Sequence, residues 1–341
     1  MTTSHMRREI LEIPDVIDGL LAQGAEGIAV AAAALRVRDP AFMVSVARGS
    51  SDHAATYFKY CAELLLGLPV ASVGPSVASV YKRPLRLQGS ACLAISQSGK
   101  SPDIVEMARS ARASGALTLA LTNHPESDLA QVSDHTLCLY AGVEQSVAAT
   151  KTFVTSIVSG IWLLAQMKDD ADLLAAIHGL PAVLARAAQA DWSEVSAALA
   201  NRNSLFCLGR GPAYAIAGEA ALKFKETCQF HAESYSSAEV LHGPVSIVDG
   251  GFPVLALAAA DAAEDVLVGV AEGIAAKGAA VFVTSSKATL AHALPVVRTA
   301  HPLTDPIALI VSFYAMVEQV AVERDINPDA PRHLRKVTQT V

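Results

Sequence analysis

The chain has 341 residues, a formal net charge of −7 and 52% hydrophobic residues. This length predicts two domains, or one large two-lobed domain, with ample core. Lysines and arginines are scattered, which argues against a nucleic-acid-binding face. No apolar run approaches the roughly 18 residues of a membrane span, and the polar N-terminus does not resemble a secretory signal. The five cysteines form no CxxC motif, so we expect reduced core thiols in a cytoplasmic protein.

Short β-branched runs alternate with longer helical patterns along the chain. The predicted strands are 42–47, 91–95, 116–121 and 136–140, followed by 204–208, 252–258, 279–284 and 295–298. Helices are predicted near 52–66, 102–114, 152–168, 212–229, 262–277 and 305–323. This alternation predicts an α/β fold with parallel sheets and helices on both faces.

An internal repeat links the two halves. The stretches V-A-R-G-S, from Val46, and L-G-R-G-P, from Leu208, each follow a predicted strand and open a helix, 162 residues apart. The same offset from the serines at 96–99 leads to 258–261, which reads A-A-A-D. We therefore expect one fold repeated twice with a single phosphate-binding turn, joined by a connector around 170–195.

The turn that carries those serines is the strongest candidate binding site. It places Ser96, Gln97, Ser98 and Ser101 between a strand and a helix. A helix N-terminus offers free N–H groups and a positive dipole end, so these side chains could surround a dianionic phosphate. The alternative is an ordinary helix N-cap, which needs fewer polar side chains but uses the same residue types.

Two nucleotide-binding motifs are only superficially present. Gly99-Lys100-Ser101 resembles the end of a Walker A loop, but Ala94 stands where that loop requires a glycine. The run from Gly209 begins like a dinucleotide fingerprint, but Tyr214 occupies the third small position. Both motifs are rejected, and we expect no cofactor.

Candidate catalytic groups lie in the second half. Glu219, Lys223 and Glu226 are spaced to share one face of an apolar helix, where charged groups must be paired or functional. A solvated i,i+4 pair is the alternative. His242 precedes a Gly-Pro pair in a loop and is either an ordinary loop histidine or a proton-transfer group. No residue cluster has metal-site spacing.

Seven ordered stretches resemble one family. They are R-G-S-S from Arg48, S-Q-S-G-K-S from Ser96, V-A-A-T-K from Val147, E-A-A-L-K-F-K-E from Glu219, H-A-E-S-Y from His231, E-V-L-H-G-P from Glu239 and P-R-H-L-R-K from Pro331. The opening H-M-R-R-E-I-L-E-I-P from His5 also fits. Together they resemble the isomerase half of glutamine–fructose-6-phosphate transaminase and its double sugar-isomerase (SIS) relatives. The resemblance implies two flavodoxin-like SIS subdomains and a homodimer.

The resemblance also implies domain boundaries and residue roles. It implies an N-terminal helical segment at 1–30, SIS domains at 31–175 and 176–330, and a tail at 331–341 that closes over the site. Glu226 would be the base and His242 would assist ring opening, with Lys223 and Lys336 beside the sugar. The phosphate would be held by Ser96, Gln97, Ser98 and Ser101, and the sugar would be lined by Ser50, Ser51, Val147 and Ala149.

Several positions depart from the family pattern. Arg48 replaces a small residue or cysteine, Lys100 a glutamate, Ala149 a serine and Leu241 a lysine. The sequence begins Met1-Thr2-Thr3 and not with a glutaminase cysteine. We therefore expect the reverse of the transaminase direction, with ammonia released.

The expected reaction is aldose–ketose isomerisation with deamination of a phosphorylated amino sugar. Glucosamine 6-phosphate would give fructose 6-phosphate and ammonia. Galactosamine-6-phosphate deamination, deglycation of a fructosyl-amine 6-phosphate, another sugar-phosphate isomerisation and a non-catalytic sugar-phosphate sensor remain alternatives. No nucleic-acid or membrane partner is expected.

Overall fold

The computed structural model describes residues 3–336. The first half contains helices α1 (His5–Gln23), α2 (Ala25–Arg38), α3 (Ser50–Leu66), α4 (Ser76–Ser79), α5 (Pro102–Ala113), α6 (Asp128–Val132) and α7 (Lys151–Lys168). Its strands are β1 (Met43–Val46), β2 (Val70–Ser72), β3 (Ala91–Ile95), β4 (Leu117–Thr122) and β5 (His135–Cys138).

The second half repeats this alternation. Its helices are α8 (Ala171–His178), α9 (Leu180–Ala187), α10 (Ser193–Leu199), α11 (Pro212–Cys228), α12 (Glu264–Ala275) and α13 (Asp305–Glu323). Its strands are β6 (Ser204–Gly209), β7 (His231–Ser236), β8 (Pro253–Ala256), β9 (Ala280–Val283) and β10 (His292–Ala293). Two short 3₁₀ helices, Glu239–His242 and Pro244–Ile247, follow β7.

Each half builds one five-stranded parallel sheet. The strand orders are β2-β1-β3-β4-β5 and, read from the other end, β7-β6-β8-β9-β10. Both are the 2-1-3-4-5 order of flavodoxin-like folds, which confirms the predicted α/β class and the internal repeat. The repeat extends to backbone detail, since Gly49 (φ 54°, ψ −133°) and Gly211 (φ 58°, ψ −136°) adopt one conformation before their helices. Glycine suits this left-handed region because it has no Cβ.

The chain divides into two compact units that are not continuous in sequence. The N-terminal unit comprises 15–144, 151–178 and 335–336, and the C-terminal unit comprises 3–14, 145–150 and 179–334. The predicted domain boundaries at 31, 176 and 331 stay predictions, and residues 337–341 of the predicted tail lie outside the described part.

Each unit has its own apolar core. The inner strands β1, β3 and β8 are buried along their whole length, and β4, β6 and β9 along all but their first residue, because parallel sheets are covered on both faces. In the N-terminal unit, Val44, Cys92 and Met107 belong to one buried cluster, and in the C-terminal unit Phe206 and Val254 belong to another.

The helix α13 is long and apolar enough to cross a membrane, but 89% of that stretch is buried inside the protein, as in a core helix. The bent pair of α1 and α2 also passes the length and composition test when taken together.

Three strand predictions were incomplete. The strands β2 and β7 were not predicted, because β2 has only three residues, β7 carries polar, partly exposed side chains, and each pairs on one side only. The predicted strand 295–298 was wrong, since the edge position is taken by the two-residue β10 at His292–Ala293.

The five cysteines are free, and all but Cys138 are buried. Burial raises the pKa of Cys92 and of Cys228 to about 12 in each case. These thiols therefore remain protonated near neutral pH and behave as core side chains.

Candidate active site

The N-terminal sheet reverses its strand order between β1 and β3. Ligands of open α/β sheets bind at such a switch point, beyond the carboxyl ends of the strands. The loop 47–49 follows β1, and the turn 96–101 follows β3. Ser50 and Ser51 begin α3 and are half-buried. The structure therefore places both predicted serine groups of this unit after the two strands that flank the switch point.

The turn 96–101 is tightly folded by its own backbone and hydroxyls. The N–H of Gly99 donates to the Ser96 carbonyl at 3.1 Å and to the Ser96 hydroxyl at 3.2 Å. The N–H of Lys100 donates to the Ser98 hydroxyl at 3.3 Å. Ser101 occupies the N-cap position of α5, yet its side chain makes no capping hydrogen bond. Helix capping by Ser101 therefore does not account for this side chain.

Gly99 is required at the centre of the turn. Its φ is +62°, and a Cβ there would lie closer than 3.0 Å to both side-chain atoms of Ser127 and to the Thr122 hydroxyl. The turn is also tied to the sheet behind it, because the Asn123 N–H donates to the Gln97 carbonyl at 3.0 Å. A larger residue at position 99 would displace the turn.

A cavity of about 590 Å³ opens beside this turn within the N-terminal unit. Three of the predicted site residues line it: Gln97, Ser98 and Lys336. Its other lining residues include Lys100, Asn123, His124, Tyr140 and Glu144. The volume suits a small polar ligand.

Lys336 is held in this cavity by a carboxylate that no sequence motif indicated. Its Nζ lies 2.6 Å from Oε2 of Glu144, whose side chain is fully buried. The hydroxyl and N–H of Thr152 donate to the same carboxylate at 2.7 and 3.1 Å. Glu144 lies three residues before the V-A-A-T-K stretch. Its position beside that motif is the one sequence signal that could have identified it as a site residue.

Val147 and Ala149 are half-buried in the segment 145–150, which belongs to the C-terminal unit. The buried carboxylate of Glu9 in α1 accepts the N–H groups of Gln145 and Ser146. Glu9 lies in the H-M-R-R-E stretch that resembled the family, but the sequence did not indicate which segment it would hold.

The predicted carboxylate–ammonium row on α11 is present. Lys223 and Glu219 are fully buried, with Nζ and Oε1 3.3 Å apart, and Lys223 also pairs with Glu226. The Tyr314 hydroxyl donates to Glu219 at 2.9 Å. The alternative of a solvated surface pair is wrong, because burial removes the ammonium and one carboxylate from water.

The three groups differ in access to solvent. Burial of Lys223 opposes its charge, but Glu219 and Glu226 outweigh this effect and raise the pKa of the ammonium. The Glu226 side chain keeps 21% of its surface exposed. Glu226 is therefore the member of the row that a ligand can reach.

His242 lies elsewhere on the C-terminal unit. It ends the 3₁₀ helix Glu239–His242, it is exposed, and no hydrogen bond joins it to Glu226 within residues 3–336. The exposed side chain of Leu241 precedes it. The structure thus brings Lys223 and Glu226 together but does not bring His242 to them.

The second switch point, at β6 and β8, has lost the serines. The N–H of Ala260 donates at 2.8 Å to the buried carboxylate of Asp305, which also pairs with Arg298 at 2.6 Å. Arg298 donates further to the Ala258 and Thr284 carbonyls. The carboxylate of Asp305 therefore accepts a backbone N–H of this turn, that of Ala260.

Comparison with known proteins agrees with the fold. The SIS domain model matches residues 39–167 and 198–322. Glutamine–fructose-6-phosphate aminotransferase of Symbiobacterium thermophilum is 34% identical over 361 aligned positions, which cover 97% of this chain and 58% of that protein. The chain thus spans about half the length of the curated relatives it matches, with 49% for a Sulfolobus acidocaldarius relative.

Solved structures extend this likeness. A candidate phosphosugar isomerase from Silicibacter pomeroyi is 61% identical with a TM-score of 0.94, covering 96% of this chain and 100% of that one. The C-terminal domain of glucosamine-fructose-6-phosphate aminotransferase from Francisella tularensis is 26% identical with a TM-score of 0.86, covering 97% and 99%. With its SIS model matching both halves, the chain belongs to the SIS domain family.

Proposed function

We propose that this protein is a SIS-type phosphosugar isomerase that deaminates a phosphorylated amino sugar. The preferred reaction converts glucosamine 6-phosphate and water to fructose 6-phosphate and ammonia. The aminotransferase relatives are named for the transfer of an amino group to fructose 6-phosphate, which supports a phosphorylated amino sugar as the substrate class.

In this proposal the phosphate is bound by the turn 96–101. Ser96, Gln97, Ser98 and Ser101 supply hydroxyl and amide groups at the N-terminus of α5, where the helix dipole favours an anion. Ser50 and Ser51, from the other side of the switch point, line the sugar. Val147 and Ala149 line the sugar, and Lys336 lies beside it.

Glu226 is the proposed general base. The ring opens with the assistance of His242, and Glu226 then takes the proton from C2 of the open-chain aldose. Returning that proton to C1, with transfer of one amine proton to O1, leaves a hydroxymethyl group at C1 and an imine at C2. Water adds to the imine carbon, the C–N bond breaks, and ammonia leaves with the ketose phosphate as the second product. Lys223 holds the Glu226 carboxylate in place through their ion pair.

One observation carries this proposal. In a chain of the SIS family, Glu226 is the partly exposed end of an otherwise buried Glu–Lys–Glu row. A buried ion pair is costly for stability alone, so an accessible carboxylate beside one fits a proton-transfer role.

The proposal includes a homodimer in a reducing, cytoplasmic compartment. Free buried cysteines support the compartment. Family resemblance supports the dimer.

A substrate panel tests the activity. Glucosamine 6-phosphate, its galacto epimer, a fructosyl-amine 6-phosphate, fructose 6-phosphate and unphosphorylated glucosamine are each assayed for ammonia and for the sugar product. We expect ammonia and fructose 6-phosphate from the first, and no turnover of unphosphorylated glucosamine. Tight binding without turnover of any compound would instead identify a sensor. Failure to bind or convert any of them would refute the proposal.

A further inference from the structure

Arg48 stands at the switch point, where the family pattern has a small residue or cysteine. Its Nε and Nη2 donate to Oδ2 of Asp103 at 3.0 and 2.9 Å. Asp103 is fully buried in the first turn of α5, whereas the Arg48 side chain is 52% exposed. The guanidinium is therefore fixed by one edge and is otherwise partly exposed, with Asp52 near enough to interact with it electrostatically.

Strand register places Arg48 beside the serine turn. Val46 of β1 pairs with Ala94 of β3 in the parallel ladder. Arg48 and Ser96 each follow two residues later, and neighbouring strands lie about 4.8 Å apart. A side chain that leaves the sheet at Arg48 thus starts next to the first residue of the turn.

Asp103 by itself would oppose anion binding at this turn. It is the second residue of α5, the helix whose N-terminus faces the turn. A buried negative charge there repels a phosphate across a low-dielectric interior. Pairing with Arg48 neutralises this charge.

The pairing also leaves part of the guanidinium unused. Nε and Nη2 serve Asp103, and within residues 3–336 Nη1 of Arg48 makes no hydrogen bond. A guanidinium offers donors along more than one edge and matches phosphate geometry better than an ammonium does.

We propose that Arg48 is a second phosphate-binding group, which donates from Nη1 to the substrate phosphate while Asp103 orients its other edge. This inference rests on the proposed function of the turn 96–101. It adds a charge contact that the seryl hydroxyls do not provide, and it predicts a preference for dianionic over neutral sugars.

A double substitution separates direct contact from simple neutralisation. Calorimetry measures the Kd of inorganic phosphate, and assays measure KM for glucosamine 6-phosphate. Arg48→Ala leaves Asp103 buried without its ion pair and can fail to fold. Arg48→Ala/Asp103→Asn removes both charges, so it keeps the test interpretable. Direct contact predicts that the double variant binds phosphate roughly tenfold or more weakly than the parent. Recovery of the parental Kd and KM in the double variant would overturn the proposal.

Two further variants complete the design. Arg109→Ala removes an exposed arginine of α5 that pairs with Glu106 on the surface, and it should leave Kd unchanged. If Arg109→Ala lost as much affinity for phosphate as the double variant, the effect would come from the change in net charge. That result would contradict a direct contact between Arg48 and phosphate. Ser98→Ala tests the turn. If it weakens binding while the double variant does not, only the role of Arg48 fails. If neither changes the parental Kd, the proposed phosphate site fails as well.

Discussion

The ammonium of Lys223 and the carboxylate of Glu219 lie 3.3 Å apart, and both side chains are fully buried. Neither charge would be stable there without the other. Because Glu226 extends the same pair toward solvent, the helix α11 combines a structural ion pair with an accessible carboxylate.

Loss of the ammonium should therefore be costly. We expect Lys223→Met to lower the free energy of unfolding by about 3–5 kcal/mol, because Glu219 would be left as a buried charge without its ammonium. Urea denaturation measures this loss. Lys225→Met, an exposed position on the same helix, is the control.

The double variant Lys223→Met/Glu219→Gln should recover part of the lost stability, since no uncompensated charge remains. Equal stabilities of the Lys223 and Lys225 variants would contradict the buried pair.

The pKa of Lys223 is raised above its ordinary value of 10.5. Its stabilising contribution is thus complete below 10.5 and declines only as the pH rises through the higher folded-state value.

Gly99→Ala should disrupt the serine turn. The new Cβ would overlap Ser127 and would also occupy a left-handed backbone conformation. We expect weaker phosphate binding and a stability loss greater than that of Gly67→Ala. Gly67 has the same φ of +62° but has open space around its Cβ position, so it isolates the backbone effect. Calorimetry and thermal unfolding measure the two quantities, and identical behaviour of the two variants would be inconsistent with the packing of the turn.

Glu9→Gln should loosen the segment 145–150. The buried carboxylate that accepts the Gln145 and Ser146 N–H groups would lose its charge. Hydrogen exchange followed by mass spectrometry should show faster exchange at those two amides. Asp18→Asn, an exposed position later in α1, should leave that exchange unchanged. Unaltered protection in Glu9→Gln would show that other contacts hold the segment.

Acid sensitivity should depend partly on Glu272. The N–H groups of Ala291 and Thr289, with that of Leu290, lower the pKa of this carboxyl from 4.5 to about 2. A depressed folded-state pKa stabilises the protein above 4.5, and the contribution is lost as the pH falls toward 2. Glu272→Gln should thus be less stable than the parent at about pH 7 and closer to it at about pH 3. Thermal unfolding at both values tests this, and a constant difference would contradict it.

Sequence patterns predicted the elements whose burial is continuous. The bounds of β3 and α13 match their predictions. Each contains an uninterrupted apolar run that is buried in the core, and each is flanked by turn residues. The edge strands β2, β7 and β10 could not be predicted in the same way, since an edge strand has partners on one side and tolerates polar residues. The fourth edge strand, β5, was predicted at 136–140.

For the site, residue type identified the serine turn and the α11 row, because clustered hydroxyls beside a helix N-terminus and charges on an apolar helix face are uncommon unless they bind or pair. Partnerships across long sequence separations were beyond such reasoning. Arg48 and Asp103 are 55 residues apart, and Lys336 and Glu144 are 192 residues apart. Only the folded structure shows which basic side chain pairs with each of these buried carboxylates.

Steady-state kinetics of Ser98→Ala and Glu226→Gln on glucosamine 6-phosphate test the central claim, which assigns phosphate binding to Ser98 and proton transfer to Glu226. We predict that Ser98→Ala raises KM by roughly tenfold or more with kcat retained. Glu226→Gln should lower kcat by ~10²–10⁴-fold with KM retained. Parental turnover in Glu226→Gln would contradict the account.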